Sequence, residues 1–140
     1  MLDAVVIGGG PAGLAAATWL ARYRRTVLVL DSREYRNRWV EASHGYLGRD
    51  PVAPAELLAR ARAELAAYPT AEFCAARVVK VAAHGAGGFE VATETQRLAG
   101  RRLILATGVR DQFPEVERFF EHYGASVFHC PSCDGYEAKG

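Results

Sequence analysis

Apolar and polar residues follow one another at the start of the chain in an order that predicts a strand, a helix and a second strand. Residues 4–7 are all apolar, which is typical of a strand buried on both faces. Residues 14–21 are rich in leucine and alanine, two strong helix formers. A second buried strand is predicted over residues 26–30, which are apolar after Thr26, and Asp31 ends it. The pattern therefore predicts a strand–turn–helix–strand unit, as at the start of a parallel α/β sheet.

Farther along the chain, the pattern predicts another helix and a series of short strands. Over residues 53–68, Leu58 and Leu65 lie on one side and charges of alternating sign on the other, so we interpret this segment as a covering helix without chemistry. The remaining predictions are strands at 71–74, 77–83, 89–93, 97–99, 103–106 and 126–129, turns at 84–88 and 99–100, and a short helix over 115–123. We expect an α/β, Rossmann-like three-layer fold whose parallel sheet carries an inserted β-meander.

A glycine-rich turn joins the first predicted strand to the helix. Gly8, Gly10 and Gly13 fit the pattern G-x-G-x-x-G. In that pattern the glycines allow a sharp turn, a close approach of pyrophosphate to the backbone, and tight packing of the helix on the sheet. The carboxylate of Asp31 suits ribose hydroxyls and repels a 2′-phosphate, although the neighbouring Arg33 leaves NADP open. Together these features predict a dinucleotide site.

Length and composition narrow the class of protein. The chain has 140 residues, of which 50% are hydrophobic and 24% charged, as in a globular domain. Its net charge of +1 favours neither a nucleic-acid partner nor an acidic membrane surface. The first residues lead directly into the predicted strand, without the pattern of a leader or a membrane-spanning segment. We therefore expect a cytoplasmic protein that binds neither nucleic acid nor membrane.

Two of the three cysteines are separated by two residues, as Cys130-Pro131-Ser132-Cys133. In a reducing compartment this spacing indicates redox chemistry or metal binding. If the pair opens a helix, the N–H groups of the first turn favour a thiolate. Asp134 follows directly and has the chemistry of a general acid and base.

Zinc is the alternative interpretation of the cysteine pair. His129, Cys130 and Cys133 are three potential ligands within five residues, and a structural site needs four. Only Cys74 or His122 would complete the set, and neither belongs to a second spaced pair. We favour the redox interpretation and predict no metal site. A buried, inert pair is the remaining possibility.

Three segments in order resemble one family. They are residues 6–14, the sequence Leu105-Ala106-Thr107-Gly108, and residues 130–135. This order is similar to that of the low-molecular-weight thioredoxin reductases and their relatives, which are FAD- and NAD(P)H-dependent disulfide oxidoreductases. The resemblance covers essentially the whole chain.

The resemblance implies a cofactor and roles for individual residues. FAD would bind in residues 1–111, and residues 112–140 would be a linker and the beginning of an NADPH domain. Cys130 and Cys133 would form the redox disulfide, with Cys133 facing the flavin and Asp134 moving the proton. The candidate FAD-binding residues are Gly8, Gly10, Pro11, Ala12, Gly13, Asp31, Ser32, Asn37, His44, Ala106, Thr107 and Gly108. The full-length enzyme would be a homodimer that passes electrons from NAD(P)H to a thioredoxin-like protein or small disulfide.

The sequence also departs from the reductase pattern. Thioredoxin reductases usually carry Ala-Thr between the cysteines, and Pro131-Ser132 stands here. This pair and the segment around His44 are more similar to dithiol oxidases, which pass electrons from a dithiol through FAD to oxygen. Asp134, in contrast, is the reductase residue. Family members are about twice as long, so we expect the front part of such an enzyme without its NADPH site. We expect this part by itself to lack catalytic activity. The third hypothesis, after the reductase and the oxidase, is an inactive dinucleotide-binding module.

Overall fold

A computed structural model describes residues 1–85 and 87–139. Ala86, inside the predicted turn at 84–88, and Gly140, the last residue of the predicted second domain, lie outside the described residues. The elements in chain order are β1 (Leu2–Ile7), α1 (Pro11–Arg22), β2 (Val27–Asp31), a 3₁₀ helix (Arg36–Trp39), α2 (Pro54–Ala66), β3 (Ala71–Ala75), β4 (Val78–Ala83), β5 (Phe89–Thr93), β6 (Arg97–Leu105), α3 (Phe119–His122) and α4 (Pro131–Asp134).

The strands form one mixed sheet in the order β3-β2-β1-β6-β5-β4. Strands β3, β2, β1 and β6 are parallel, and β5 and β4 continue the sheet in antiparallel pairing. The predicted α/β fold, a parallel sheet with a β-meander, is therefore confirmed. In the register of the central strands, Ile7 stands opposite both Leu30 and Leu105. The carboxyl ends of β1, β2 and β6 consequently meet at one edge.

Apolar side chains cover both faces of the central strands. On one face, Leu14 and Ala17 of α1 and Leu58 and Leu65 of α2 join a buried cluster with β1 and β2. On the other face, Val91 of β5 joins a second cluster, whose further buried members are Val5, Leu28 and Leu30. All five residues of β2 are buried, as its continuous apolar run predicts.

The structure corrects the predicted division of β6. The sequence predicts two strands separated by a turn at 99–100, whereas Arg97–Leu105 is one strand. Gly100 stays in the ladder, opposite Leu2 on one side and Phe89 on the other. A Cβ built on Gly100 would lie 2.8 Å from a methyl carbon of Val5. The glycine thus serves close strand packing and not a turn.

Three further predictions differ from the structure. The strand at 71–74 pairs with β2 in parallel, so it belongs to the parallel sheet and not to the meander. The helix predicted over 115–123 is restricted to α3, because Arg118 before it has a φ of 61°, which is not helical. The predicted strand at 126–129 is wrong. There the backbone closes a local turn, in which Gly124 donates to the carbonyl of Val127 at 2.9 Å.

The described residues form two compact units. The first comprises Met1–Tyr35 and Leu58–Gly108, and the second comprises Arg36–Leu57 and the segment from Val109 onward. The predicted domain boundary after residue 111 concerns the whole protein and stays a prediction. Within residues 1–85 and 87–139, none of the helices has the length and apolar character needed to cross a membrane.

The packing of α2 predicts the effect of shortening one leucine. Leu65 is 2% exposed in the cluster beneath α2, and Leu47 is 104% exposed. We expect Leu65→Ala to lower the free energy of unfolding by about 2–5 kcal/mol, because it removes buried methyl groups and leaves a cavity. Leu47→Ala, the matched control, should change it by less than about 0.5 kcal/mol. Urea denaturation measures both, and equal effects would contradict the described core.

Candidate functional site

The first unit brings three of the predicted segments to one edge of the sheet. Gly8 follows β1, Asp31 ends β2, and Ala106 follows β6. The N–H of Gly8 donates to the carbonyl of Leu30 at 2.8 Å, and the N–H of Ala106 donates to the carbonyl of Ile7 at 2.8 Å. In open α/β sheets, ligands bind outside the carboxyl ends of the strands, which is where these segments meet.

The close approach of three backbones explains two of the glycines. Gly8 has a φ of +104°, a conformation that favours glycine, and a Cβ on it would collide with the carbonyl oxygen of Ala106. A Cβ on Gly13 would collide with the carbonyl oxygen of Gly8. A Cβ on Gly10, in contrast, would have no neighbour within 4 Å among the described residues. Gly8 and Gly13 therefore serve packing, and Gly10 borders open space.

The N-terminus of α1 faces that open space. Pro11 and Ala12 are exposed, and the first helical hydrogen bond is donated by Leu14 to the carbonyl of Gly10 at 3.0 Å. Within the described part of the chain, no side chain caps this helix and its first turn carries no acidic residue. Helix N–H groups before the first bond point outward and attract anions. The open glycine and the uncapped helix fit the pyrophosphate of a dinucleotide.

Asp31 is a buried carboxylate with several partners. It is 4% exposed, and its Oδ1 accepts a hydrogen bond from the backbone N–H of Arg33 at 3.2 Å. Its Oδ2 accepts a hydrogen bond from the hydroxyl of Tyr35 and lies 4.0 Å from Nη2 of Arg62. Arg62 also donates to the oxygen of Tyr35. The carboxylate predicted to bind ribose is therefore the centre of a small network, to which we refer as the Asp31 cluster (Asp31, Tyr35 and Arg62).

The sequence interpretation missed Arg62 and Tyr35. Arg62 belongs to α2, which we expected to carry no chemistry. It follows Leu58 by four residues and precedes Leu65 by three, so it occupies the apolar side of the helix. A cation in the buried stripe of an amphipathic helix was the available signal. Its guanidinium lies over the ring of Phe73, 5.0 Å from the centroid.

The other predicted FAD-binding residues are divided between the two units. Ser32, Thr107 and Gly108 are exposed in the first unit, where Gly108 has a φ of +67°. Asn37 and His44 belong to the second unit. Side-chain bonds hold both residues there: Asn37 donates to the hydroxyl of Ser43 at 3.3 Å, and His44 Nδ1 lies 3.0 Å from Asp50 and 3.4 Å from Glu137.

Cys130 and Cys133 form a disulfide in the second unit, with their Cα atoms 5.3 Å apart. Cys130 is the N-cap of the short helix α4, and its carbonyl accepts hydrogen bonds from the N–H groups of Cys133 and Asp134 at 3.2 and 3.3 Å. Asp134 is buried. Among the described residues, no three His, Cys, Asp or Glu side chains are grouped to hold a metal ion.

Several polar and aromatic side chains of the second unit, all earlier in the chain than the disulfide, contact one another. The hydroxyl of Tyr123 and Nδ1 of His129 are 2.7 Å apart, and Tyr123 packs on Phe113 with centroids 4.9 Å apart. Arg36 makes two hydrogen bonds to Asp111, both at 2.8 Å, and these hold the pKa of that carboxyl below its usual range. Burial raises the pKa of Tyr123, so its phenol loses its proton at a higher pH than an ordinary tyrosine does.

The Asp31 cluster predicts an unusual titration. Burial, followed by the hydrogen bond to Asp31, raises the pKa of Tyr35 from 10.0 to about 12. The folded protein therefore holds this proton more tightly than the unfolded chain. The stabilisation is complete below pH 10 and is lost as the pH rises to 12. In an ultraviolet titration of tyrosinate, we expect the difference between the wild type and Tyr35→Phe to be one group that ionises near pH 12.

The control for that titration is the same pair of proteins in denaturing urea, where the hydrogen bond between Tyr35 and Asp31 is lost. There the difference curve should show a group that ionises near the unperturbed tyrosine value of about 10. A folded-state difference curve that coincides with the denatured-state curve would contradict the buried hydrogen bond to Asp31.

Comparison with known proteins gives a consistent result. A family model described as pyridine nucleotide-disulphide oxidoreductase matches residues 2–140. The chain is similar to thioredoxin reductase tcpT of Claviceps purpurea, with 41% identity over 147 residues that cover 100% of this chain and 44% of that protein. It is 38% identical to thioredoxin reductase aclD of Aspergillus oryzae, in an alignment that covers 100% of this chain and 45% of that protein. The chain thus spans less than half the length of these relatives.

A solved structure extends the similarity to the fold. The oxidoreductase from Agrobacterium tumefaciens superposes with a TM-score of 0.90 at 44% identity, over 97% of this chain and 46% of that chain. The resemblance recognised from the glycine, Ala-Thr-Gly and cysteine segments is therefore confirmed. On the family match, the sequence identity and the shared fold together, the chain belongs to the pyridine nucleotide-disulphide oxidoreductase family and is thioredoxin reductase-like.

Proposed function

We propose that this chain binds FAD and carries the redox disulfide of a flavoprotein disulfide oxidoreductase. The observation that carries the proposal is the edge of the first unit, where the Gly8–Gly13 turn, Asp31 and the 106–108 segment follow three adjacent parallel strands. Such an edge is where α/β sheets bind nucleotides. The family match supports FAD and NAD(P)H as the cofactors.

The residues of the first unit fit the adenosine diphosphate part of FAD. The open space beside Gly10 and the uncapped start of α1 suit the pyrophosphate. The carboxylate of Asp31 suits the ribose hydroxyls. Ser32, Thr107 and Gly108 are exposed and are further candidates for contact with the cofactor. Asn37 and His44 stay candidates of the second unit.

The second unit supplies the proposed thiol chemistry. Opening the Cys130–Cys133 disulfide takes two electrons and two protons and yields two thiols. Asp134, buried next to Cys133, is proposed to hold and transfer a proton of the thiol. FAD, when bound, would supply the two-electron redox chemistry that connects a nicotinamide with a pair of thiols. Cys130 is then proposed to attack the disulfide of a substrate by thiol exchange.

The remaining assignments concern the whole protein. The full-length enzyme is proposed to take electrons from NAD(P)H at a second nucleotide site and to reduce a thioredoxin-like protein or a small disulfide. Its proposed organisation has FAD-binding residues 1–111 followed by the start of an NADPH domain at 112–140, within a cytoplasmic homodimer. The names of the relatives support a thioredoxin-like partner, since tcpT and aclD are both called thioredoxin reductases.

A second candidate is a dithiol oxidase that passes electrons from a dithiol through FAD to oxygen. Pro131 and Ser132 between the cysteines favour it, as does the segment around His44. In that segment His44 pairs with Asp50, whose pKa is lowered by hydrogen bonds from the Gly45 N–H and from His44. Asp134 after the second cysteine favours the reductase.

A visible absorption spectrum of the purified chain with added FAD tests the proposal. We expect a bound-flavin spectrum that bleaches when dithiothreitol is added anaerobically. Cys133→Ser should bind FAD and bleach at least about tenfold more slowly, because the disulfide that relays the electrons is lost. Cys74→Ala is the control, since Cys74 is outside the pair, and it should behave as wild type. A folded chain that binds no FAD would contradict the proposal.

Oxygen consumption separates the two candidates in the full-length protein. A reductase is expected to oxidise NADPH when a disulfide substrate is added and to consume little oxygen with a dithiol alone. An oxidase would consume oxygen with the dithiol in the absence of NADPH. That second result would overturn the reductase assignment and leave the FAD site intact.

A further inference from the structure

We propose that Arg62 and Tyr35 are positioning residues for ribose recognition: they hold the Asp31 carboxylate in the orientation in which it binds the adenosine ribose of a dinucleotide. The inference rests on the proposed function, since it concerns the same nucleotide site. It adds a helix residue to a site that the sequence builds from a turn, a strand end and a loop.

The burial of Asp31 makes the network necessary. The side chain is 4% exposed, and a buried carboxylate is costly unless it is paired and hydrogen-bonded. Arg62 brings the opposite charge to 4.0 Å from Oδ2. Arg62 thus supplies the opposite charge that a buried carboxylate needs, and carboxylate oxygens accept the hydrogen bonds that ribose hydroxyls donate.

The hydrogen bonds of the cluster run in one order, from Arg62 through Tyr35 to Asp31. Arginine has donors and no acceptor, so the oxygen of Tyr35 accepts from Arg62 and its single proton is donated to Asp31. Arg62 is itself held over Phe73, with the guanidinium carbon 5.0 Å from the ring centroid, and lies 5.7 Å from that of Tyr35. In the described part of the chain, its buried Nε has no hydrogen-bond acceptor. The contacts with these two rings and the hydrogen bond to Tyr35 hold the guanidinium beside the Asp31 carboxylate.

The count of acceptor sites on Asp31 matches a ribose. A carboxylate has about four acceptor sites, two on each oxygen. The N–H of Arg33 uses one site on Oδ1 and the hydroxyl of Tyr35 uses one on Oδ2. Counting the hydrogen bonds from the described residues alone, one site is left on each oxygen, and the 2′ and 3′ hydroxyls of a ribose are two adjacent donors. The cluster thus orients the carboxylate and leaves one acceptor site on each of its oxygens for the two ribose hydroxyls.

Titration of the full chain with FAD, followed by flavin fluorescence, tests the role of Arg62. Removing a hydrogen-bonded charge from this network should weaken FAD binding about tenfold or more in Arg62→Met. Tyr35→Phe, which removes only the hydroxyl, should weaken binding by about three- to tenfold. Arg60→Met is the matched control on the exposed side of the same helix and should bind FAD as wild type does. Circular dichroism establishes that each variant is folded.

A pair of ligands distinguishes positioning from general support of the fold. The wild type should bind ADP more tightly than 2′-deoxyADP, and Tyr35→Phe and Arg62→Met should lose much of this preference. In an Asp31→Asn background, Arg62→Met should cause no further loss of ADP affinity. Equal weakening of both nucleotides, or unchanged FAD binding in folded Tyr35→Phe and Arg62→Met, would overturn the inference alone. A folded wild type that binds neither FAD nor ADP would overturn the proposed function together with it.

Discussion

The absence of side chains at Gly8 and Gly13 sets the spacing at the edge of the sheet where β1, β2 and β6 end. The backbones of these residues and of Ala106 meet where a single Cβ would collide with a carbonyl oxygen. This contact fixes the start of α1 directly beside the ends of β1 and β6. Since β2 is in register with β1, the same contact also determines where Asp31 stands relative to the turn. Local backbone geometry thereby becomes the arrangement of a site.

The second constraint is electrostatic. Strand β2 is buried along its whole length and ends in a carboxylate, so a charge is carried into an apolar environment. Helix α2 compensates for it while it also packs on the sheet, because Arg62 lies between Leu58 and Leu65 on the covered face. One helix therefore provides both the apolar cover of the strands and the counter-charge of the site. A substitution in α2 can therefore affect the packing of the sheet and the charge balance of the site together.

The extent to which the sequence predicts this structure follows from the range of the interactions. The first strand, the helix and the second strand depend on local periodicity and glycine spacing, and both are visible in one stretch of chain. The continuity of β6 through Gly100 depends on its contact with Val5, which is far away in sequence, so the pattern indicated a turn instead. The strand expected at 126–129 has no ladder partner among the described residues beyond an isolated bridge. Arg62 escaped notice because its partner, Asp31, belongs to another element.

The position of the disulfide has a consequence for the folded chain when the bond opens. Its cysteines are three residues apart: Cys130 is the N-cap of the short helix α4, and Cys133 lies inside that helix. A cross-link stabilises a protein chiefly by restricting the unfolded chain, and a loop of about 15 residues contributes about 3 kcal/mol in that way. By the same relation the Cys130–Cys133 loop of about four residues contributes about 2 kcal/mol. The backbone hydrogen bonds to the Cys130 carbonyl involve neither sulfur. The bond therefore stabilises the fold less than a cross-link between distant segments would, and the backbone hydrogen bonds of α4 are available to both the dithiol and the disulfide.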